Sequence, residues 1–248
     1  MRDYRLELEK RVAFNQKLLA ESGAKGIVYG NSGGKDSVLV GILCKKACPN
    51  TLGIAMPCGS SVNFGRDMED AKAVAEQYGI DLEVVDLTAV KQAHIQALEA
   101  AGFTLNDVAL TNIAPRLRMT TLYAAGAAKG YLVAGTGNRS ERYMGYFTKW
   151  GDGAFDFNPI SDLTVTEIYE FLRFLEAPAG IIEKAPSAGL FEGQSDEADM
   201  GVTYAAIDRF LTDGEATEHD AAIIRRYHSR SAHKRRPAAL YAEETEQA

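Results

Sequence analysis

The chain has 248 residues, of which 46% are hydrophobic and 25% charged, as is typical of a soluble protein that can bury one sizeable core. Its net charge of −7 argues against general affinity for nucleic acid, and it has no run of about 18 apolar residues that would predict a membrane span. We therefore expect one domain over residues 1–248, binding neither nucleic acid nor membrane, and its three cysteines without C-x-x-C spacing favour the cytoplasm.

Strand and helix patterns alternate through the first part of the chain. A helix is predicted at residues 3–22, and further helices at 36–48, 65–78, 88–101 and 115–129. Strands are predicted at 26–30, 51–56, 82–86 and 131–135, and later helices at 164–176, 203–212 and 217–233. This order predicts a doubly wound α/β fold, a parallel sheet with helices on both faces and a helical C-terminal part. Ligands of such sheets bind beyond the carboxyl ends of the strands.

The most informative stretch is the string S-G-G-K-D-S at residues 32–37, between a predicted strand and a predicted helix. The first N–H groups of a helix lack partners within the helix and attract anions. Gly33 and Gly34 let the main chain approach a phosphate, and Ser32 and Ser37 add hydroxyl donors. The string therefore predicts a phosphate-binding turn.

Two charged residues complicate this turn. Lys35 adds a cation, whereas the carboxylate of Asp36 would repel a phosphate. A divalent metal resolves that conflict, because it binds carboxylate and phosphate oxygens together. Asp36 is therefore a candidate ligand of a divalent metal.

A generic glycine turn that caps a helix is the alternative explanation of this string. A Walker A loop and a G-x-G-x-x-G dinucleotide fingerprint do not fit its spacing. The string resembles the pyrophosphate loop of the N-type ATP pyrophosphatases, which cleave ATP between the α- and β-phosphates to adenylate a substrate.

A second informative segment has the sequence G-T-G-N-R-S-E at residues 135–141. It lies where the last predicted strand ends and a helix begins. Glu141 follows that strand at a distance that lets it face the same sheet edge as Asp36. It is a candidate second metal ligand, and the alternative is a glutamate that only stabilises the helix dipole.

Further segments narrow the family. The ordered segments resemble ammonia-dependent NAD synthetases; they lie at residues 112–119, 145–153, 158–160, 186–190, 194–197 and 233–235. The resemblance spans nearly the whole chain. It implies ATP-dependent amidation of deamido-NAD by free ammonia, with an adenylate intermediate, release of AMP and pyrophosphate, and a homodimer. We place the likeliest apolar surfaces for that dimer on the N-terminal helix and the 115–129 helix.

The resemblance also implies roles for individual residues. Pyrophosphate would be held by the loop, with Ser32, Gly34, Asp36 and Ser37 in contact and Gly33 and Lys35 beside them. Asp36 and Glu141 would bind Mg²⁺. Thr136 and Arg116 would contact ATP, and Lys149 and Ser187 the transferring phosphate. Asp152 and His233 would seat the dinucleotide, and Lys234 would approach its phosphates.

Two other features bear on the reaction. The segment 184–201 lacks periodicity, and we expect it to act as a lid over the reactive intermediate, with Ser187 as its chemical contact. The few cysteines and the chain length leave no evident glutaminase part, so we expect free ammonia, or ammonia delivered by a separate protein.

Two rival functions remain open from the sequence. A tRNA-modifying adenylating enzyme would use the same loop, but it predicts a basic surface or a persulfide-carrying cysteine pair. A non-catalytic nucleotide sensor would not need both Asp36 and Glu141.

Overall fold

The centre of the fold is a sheet of four parallel strands in the order β3-β2-β1-β4. The computed structural model describes residues 2–59, 66–182 and 196–241. The strands are β1 (Gly26–Gly30), β2 (Thr51–Ala55), β3 (Asp81–Val84) and β4 (Tyr131–Ala134). The predicted parallel α/β architecture is confirmed.

Helices make up most of the rest of the described chain. Their bounds are α1 (Tyr4–Ser22), α2 (Lys35–Ala47), α3 (Arg66–Tyr78), α4 (Thr88–Ala100), α5 (Asp107–Lys129), α6 (Arg139–Met144), α7 (Val165–Phe174), α8 (Ala179–Ile182), α9 (Asp196–Met200), α10 (Tyr204–Thr212) and α11 (Glu218–Arg230), and a 3₁₀ turn follows at Ala232–Lys234. None of these helices combines the length and apolar character needed to cross a bilayer.

Both faces of the sheet are covered. On one face α2 packs against β1 and β2, with α1, α3 and α7 around it, and the core there includes Tyr29 and Phe171. On the other face α5 packs against β1 and β4 around Val28 and Val133. Burial on both sides explains why β1 is an apolar run, not an alternating pattern.

The direction in which successive strands are added to the sheet reverses between β1 and β4. From β1 the chain builds β2 and β3 to one side, and β4 then pairs with the opposite edge of β1. In doubly wound sheets the crevice at such a reversal is the usual ligand site. The loops after β1 and β4, which carry the two predicted carboxylates, therefore flank it.

The predicted start of the helix at residue 115 is wrong, because α5 begins at Asp107. Proline is common at the first turn of a helix, which made Pro115 a plausible start. The observed N-cap is instead Asn106, whose side chain accepts a hydrogen bond from the Ala109 N–H at 2.9 Å. Pro115 lies buried inside the helix.

The predicted ends of two later segments also differ. The helix expected over 217–233 ends at Arg230, because the Ser231 hydroxyl donates to the Tyr227 carbonyl at 2.7 Å and the chain tightens into the 3₁₀ turn.

Of the expected lid at 184–201, residues 184–195, including Ser187, lie outside the described residues, and Asp196–Met200 forms α9.

Candidate active site

The turn after β1 has the backbone that its glycines predict. Gly33 has φ +70°, in the left-handed region that favours glycine, and its N–H donates to Asn31 Oδ1 at 3.2 Å. Gly34 is the N-cap of α2 and has no side chain to cap the helix. The hydroxyls of Ser32 and Ser37 lie 3.2 Å apart beside it. Main-chain and hydroxyl donors therefore gather at a helix N-terminus, as an anion site requires.

Asp36 is held between two donors. Its Oδ2 accepts from Lys35 Nζ at 2.7 Å, and its Oδ1 accepts from Asn138 Nδ2 at 3.1 Å. Asn138 comes from the loop after β4, so this second contact crosses the crevice between β1 and β4.

Asn138 also positions Glu141. Its side chain accepts from the Glu141 N–H at 2.9 Å, and its own N–H donates to Glu141 Oε2 at 3.0 Å, which forms a capping box at the start of α6. Asn138 is fully buried. One asparagine therefore fixes both predicted carboxylates, and the dipole-stabilising and metal-binding explanations of Glu141 are compatible.

The charges at this point are strongly coupled. Burial raises the pKa of Glu141 above its ordinary value, and the neighbouring Asp36 carboxylate raises it further. Burial works to lower the pKa of Lys35, but the negative charges of Asp36 and Glu141 outweigh it and raise that pKa. Lys35 is thus a buried counter-ion in contact with the Asp36 carboxylate.

The carboxylate pair fits Mg²⁺ by its chemistry. Both side chains offer the hard oxygen donors that Mg²⁺ prefers. Within residues 2–59, 66–182 and 196–241 there is no group of three or more His, Cys, Asp or Glu residues that could form a complete protein cage for a metal. A metal held by only two carboxylates would keep its other coordination positions for phosphate oxygens and water, as Mg²⁺ commonly does.

A cleft of about 1180 Å³ opens above this pair at the carboxyl edge of the sheet. Nine of the predicted site residues line it. They are Ser32, Gly34, Lys35, Asp36, Ser37, Thr136, Glu141, Asp152 and Lys234. The prediction that the loops after β1 and β4 face one cleft thus agrees with the structure.

Three other predicted side chains are not among the described residues that line the cleft. Lys149 Nζ donates to the His233 carbonyl at 2.7 Å, and Arg116 Nη2 donates to the Lys149 carbonyl at 3.4 Å. Arg116 and His233 are exposed. These hydrogen bonds join the three residues into one group, and Gly33 contributes main chain only.

The turn at residues 147–154 is held by a dense set of hydrogen bonds. Asp152 Oδ1 accepts from the Thr148 N–H at 2.9 Å, and the Gly153 N–H donates to the Thr148 carbonyl at 3.1 Å. A Cβ on Gly153 would lie 2.6 Å from Phe147 Cδ2, so this glycine allows a close approach. Asp152 is exposed to the cleft, and desolvation by the surrounding protein raises the pKa of its carboxyl.

Lys234 ties this turn to the C-terminal part of the chain. Its Nζ donates to the carbonyls of Gly145 at 2.9 Å and Phe147 at 2.7 Å. Burial lowers its pKa, and the Asp152 carboxylate opposes that shift. Lys234 thus lines the cleft, and the hydrogen bonds of its ammonium go to main-chain carbonyls.

The residues that sequence reasoning missed include Asn138, which is buried and holds the carboxylate pair, and two polar residues that line the cleft. Asn138 is the most important, and the spacing N-x-x-E before an expected helix was a capping signal that could have revealed it. Asn112 accepts from the Thr148 hydroxyl at 2.6 Å, and Arg118 Nε donates to the Met56 carbonyl at 3.0 Å. Both lie in the segment 112–119, where no local signal separates them from their neighbours.

Comparisons with known proteins agree with this geometry. The family model described as NAD synthase matches residues 7–242. An NH₃-dependent NAD⁺ synthetase from Carboxydothermus hydrogenoformans is 48% identical over 230 residues, which cover 92% of this chain and 93% of the relative.

Solved structures show the same likeness. The structure of NMN synthetase from Francisella tularensis has a TM-score of 0.91 and 34% identity, covering 97% of this chain and 99% of that one. An NH₃-dependent NAD synthetase from Campylobacter jejuni has a TM-score of 0.82 and 29% identity, covering 97% and 100%. By the family model and by identity over most of its length, the chain belongs to the NAD synthase family.

Proposed function

We propose that this chain is a C–N ligase that amidates deamido-NAD with ammonia, consuming ATP and releasing AMP and pyrophosphate. The observation that carries the proposal is the pair Asp36 and Glu141, held by one asparagine beside a glycine turn in a chain of this family. Curated relatives that match are named NH₃-dependent NAD⁺ synthetases, and the tRNA-modifying alternative is not favoured.

The first step activates the carboxylate. A nicotinate carboxylate oxygen attacks the α-phosphorus of ATP, the bond to the β-phosphate oxygen breaks, and pyrophosphate leaves. The N-terminus of α2, with the hydroxyls of Ser32 and Ser37, would bind that leaving group. Mg²⁺ held by Asp36 and Glu141 would supply positive charge to the polyphosphate.

The second step forms the amide. Ammonia attacks the carbonyl carbon of the adenylate, the carbon–oxygen bond to AMP breaks, and one proton is released. Holding the two reactants in the cleft supplies the orientation, and its walls limit attack by water. The three cysteines of the chain are all buried and free, so they offer no exposed nucleophile for releasing ammonia from glutamine.

The other residues keep their proposed roles. Thr136 and Arg116 contact ATP, Lys149 and Ser187 the transferring phosphate, and Asp152, His233 and Lys234 the dinucleotide. Because the ammonium groups of Lys149 and Lys234 bond to main-chain carbonyls, contact with phosphates requires them to exchange these partners.

Assembly and location belong to the same proposal. We infer a cytoplasmic homodimer. Of the two segments expected to supply its surface, the N-terminal helix α1 leaves Leu6 44% and Phe14 42% exposed. These are the apolar side chains that a partner subunit would cover.

A second candidate substrate comes from one comparison. The similar structure from Francisella tularensis is an NMN synthetase, and it matches almost the full length of both chains. Amidation of nicotinate mononucleotide uses the same activation chemistry on a substrate without the adenylate half. This candidate differs from the first only in substrate.

Product analysis with purified protein separates these candidates. Reactions contain ATP, Mg²⁺ and ammonium, with either deamido-NAD or nicotinate mononucleotide. We expect NAD with equimolar AMP and pyrophosphate. The kcat/KM for deamido-NAD should exceed that for nicotinate mononucleotide by about tenfold or more. A reversed preference would identify the mononucleotide as substrate. Formation of ADP, or NAD formation from glutamine in place of ammonium, would refute the proposed reaction.

A further inference from the structure

The unusual residue of the phosphate turn is Lys35. Its side chain is only 8% exposed, although it is the first residue of a helix that faces a cleft. Its Nζ lies 2.7 Å from Asp36 Oδ2, and 6.0 and 5.8 Å from the ring centroids of Tyr169 and Tyr204. Two aromatic rings and one carboxylate thus surround the ammonium.

Burial of a lysine at this point needs an electrostatic explanation. Removing an ammonium from water is unfavourable unless a negative charge compensates it. Adjacent residues of a helix do not normally face each other, yet the Lys35 side chain turns back to its neighbour Asp36. The carboxylate of Asp36, 2.7 Å from the ammonium, is the compensating charge in contact with it.

Asp36 and Glu141 are the carboxylates that we assign to Mg²⁺. Asp36 Oδ1 is bonded to Asn138 and Oδ2 to Lys35, and we take Oδ2 as the oxygen that the metal would bind. With both carboxylates ionised, the group carries a net charge of −1 with Lys35 and −2 without it. An ammonium and a divalent cation would therefore compete for one oxygen.

We propose that Lys35 is a built-in counter-ion of the Asp36–Glu141 pair, which holds the pair together before the metal arrives and is displaced from Asp36 when the metal binds. The inference rests on the proposed function only in taking these two carboxylates as metal ligands. Two consequences follow. The protein binds the metal weakly without nucleotide, because the metal must displace a cation. It binds the metal well together with a polyphosphate, whose charge draws the ammonium away from Asp36 towards the anion turn.

The test measures Mn²⁺ binding without nucleotide, using the electron paramagnetic resonance signal of free Mn²⁺. Lys35→Gln and Lys35→Met remove the charge, and Lys35→Arg keeps it. Lys129→Gln is the matched control, because Lys129 also lies over a tyrosine ring, at 5.9 Å from the Tyr131 centroid, but is exposed and does not line the cleft.

We expect the two neutral variants to bind Mn²⁺ about tenfold or more tightly than the wild type, since a positive charge beside the metal is gone. Lys35→Arg and Lys129→Gln should match the wild type. The neutral variants should also unfold at a lower temperature in EDTA and gain more stability from Mn²⁺ than the wild type does. Equal or weaker Mn²⁺ binding by both neutral variants would overturn the proposal.

The remaining outcomes are also decisive. If neither neutral variant folds in EDTA, the proposal predicts that Mn²⁺ restores folding, and failure to do so contradicts it. NAD formation by the wild type is measured separately. If the neutral variants bind Mn²⁺ more tightly but the wild type forms no NAD, the counter-ion role stands and the proposed function is refuted. If the wild type forms NAD but the neutral variants do not bind Mn²⁺ more tightly, only the counter-ion role is refuted.

Discussion

Replacement of Asn138 gives the sharpest mutational prediction, because this residue makes two separable contributions. Its side-chain oxygen caps α6, and its side-chain nitrogen donates to Asp36 from a fully buried position. Asn138→Ala removes both contributions. Asn138→Ser keeps a capping oxygen and removes only the donor to Asp36.

The magnitudes follow from each contact. Loss of an N-cap destabilises a protein by about 1 kcal/mol. Loss of a buried hydrogen bond to a charged group removes about 2 kcal/mol. We therefore expect the free energy of unfolding to fall by about 3 kcal/mol in Asn138→Ala and by about 2 kcal/mol in Asn138→Ser. Both should lose about a hundredfold in kcat/KM, because Asp36 is no longer held in place.

Thr164→Ala is the control for capping alone. Thr164 is the buried N-cap of α7 and forms the same kind of capping box with Glu167, but it does not contact Asp36. It should lose about 1 kcal/mol of stability and keep its kcat/KM. Urea unfolding in EDTA and steady-state NAD formation provide the two readouts. If Asn138→Ser keeps the wild-type kcat/KM, the positioning of Asp36 by Asn138 is wrong.

Three further predictions use other parts of the chain. Asp36→Asn should abolish adenylation while leaving the far-ultraviolet circular dichroism unchanged, and near-normal turnover at low Mg²⁺ would contradict the metal assignment. Asp162→Asn should lower stability by about 1 kcal/mol at pH 7. Burial works to raise the pKa of Asp162, but hydrogen bonding to Arg11 lowers it more, so the contribution of the pair is complete above the unfolded carboxyl pKa and disappears as pH falls through the lowered one. Thermal unfolding should therefore show no difference from the wild type in strong acid, and a constant gap would refute this. Gly153→Ala should destabilise by about 1–3 kcal/mol in urea, because its Cβ would meet Phe147 at 2.6 Å; an unchanged midpoint would show that the turn adapts.

Much of the fold was predictable because the relevant signals are local. The apolar run of β1 is buried on both sides, and the glycines after it adopt the turn that places the start of α2 at the cleft. The order of strands and helices then implies that Asp36 and Glu141 meet at one edge, since parallel strands share it. Both carboxylates do line the same cleft.

The remaining features depend on contacts between distant segments. Asn138 reaches Asp36 across 102 positions of sequence, and nothing local reveals that contact. Pro115 lies inside α5, although proline is common in the first turn of a helix. Lys149 and Lys234 looked free to bind phosphate, but main-chain carbonyls of remote segments accept from both.

Transfer of isotope from the substrate carboxylate to AMP tests the central claim most directly. Deamido-NAD labelled with ¹⁸O in the nicotinate carboxylate is incubated with the purified protein, ATP, Mg²⁺ and ammonium, and the AMP is analysed by mass spectrometry. If the carboxylate attacks the α-phosphorus, each AMP formed carries one ¹⁸O from that carboxylate. NAD formation with unlabelled AMP would contradict an adenylate intermediate.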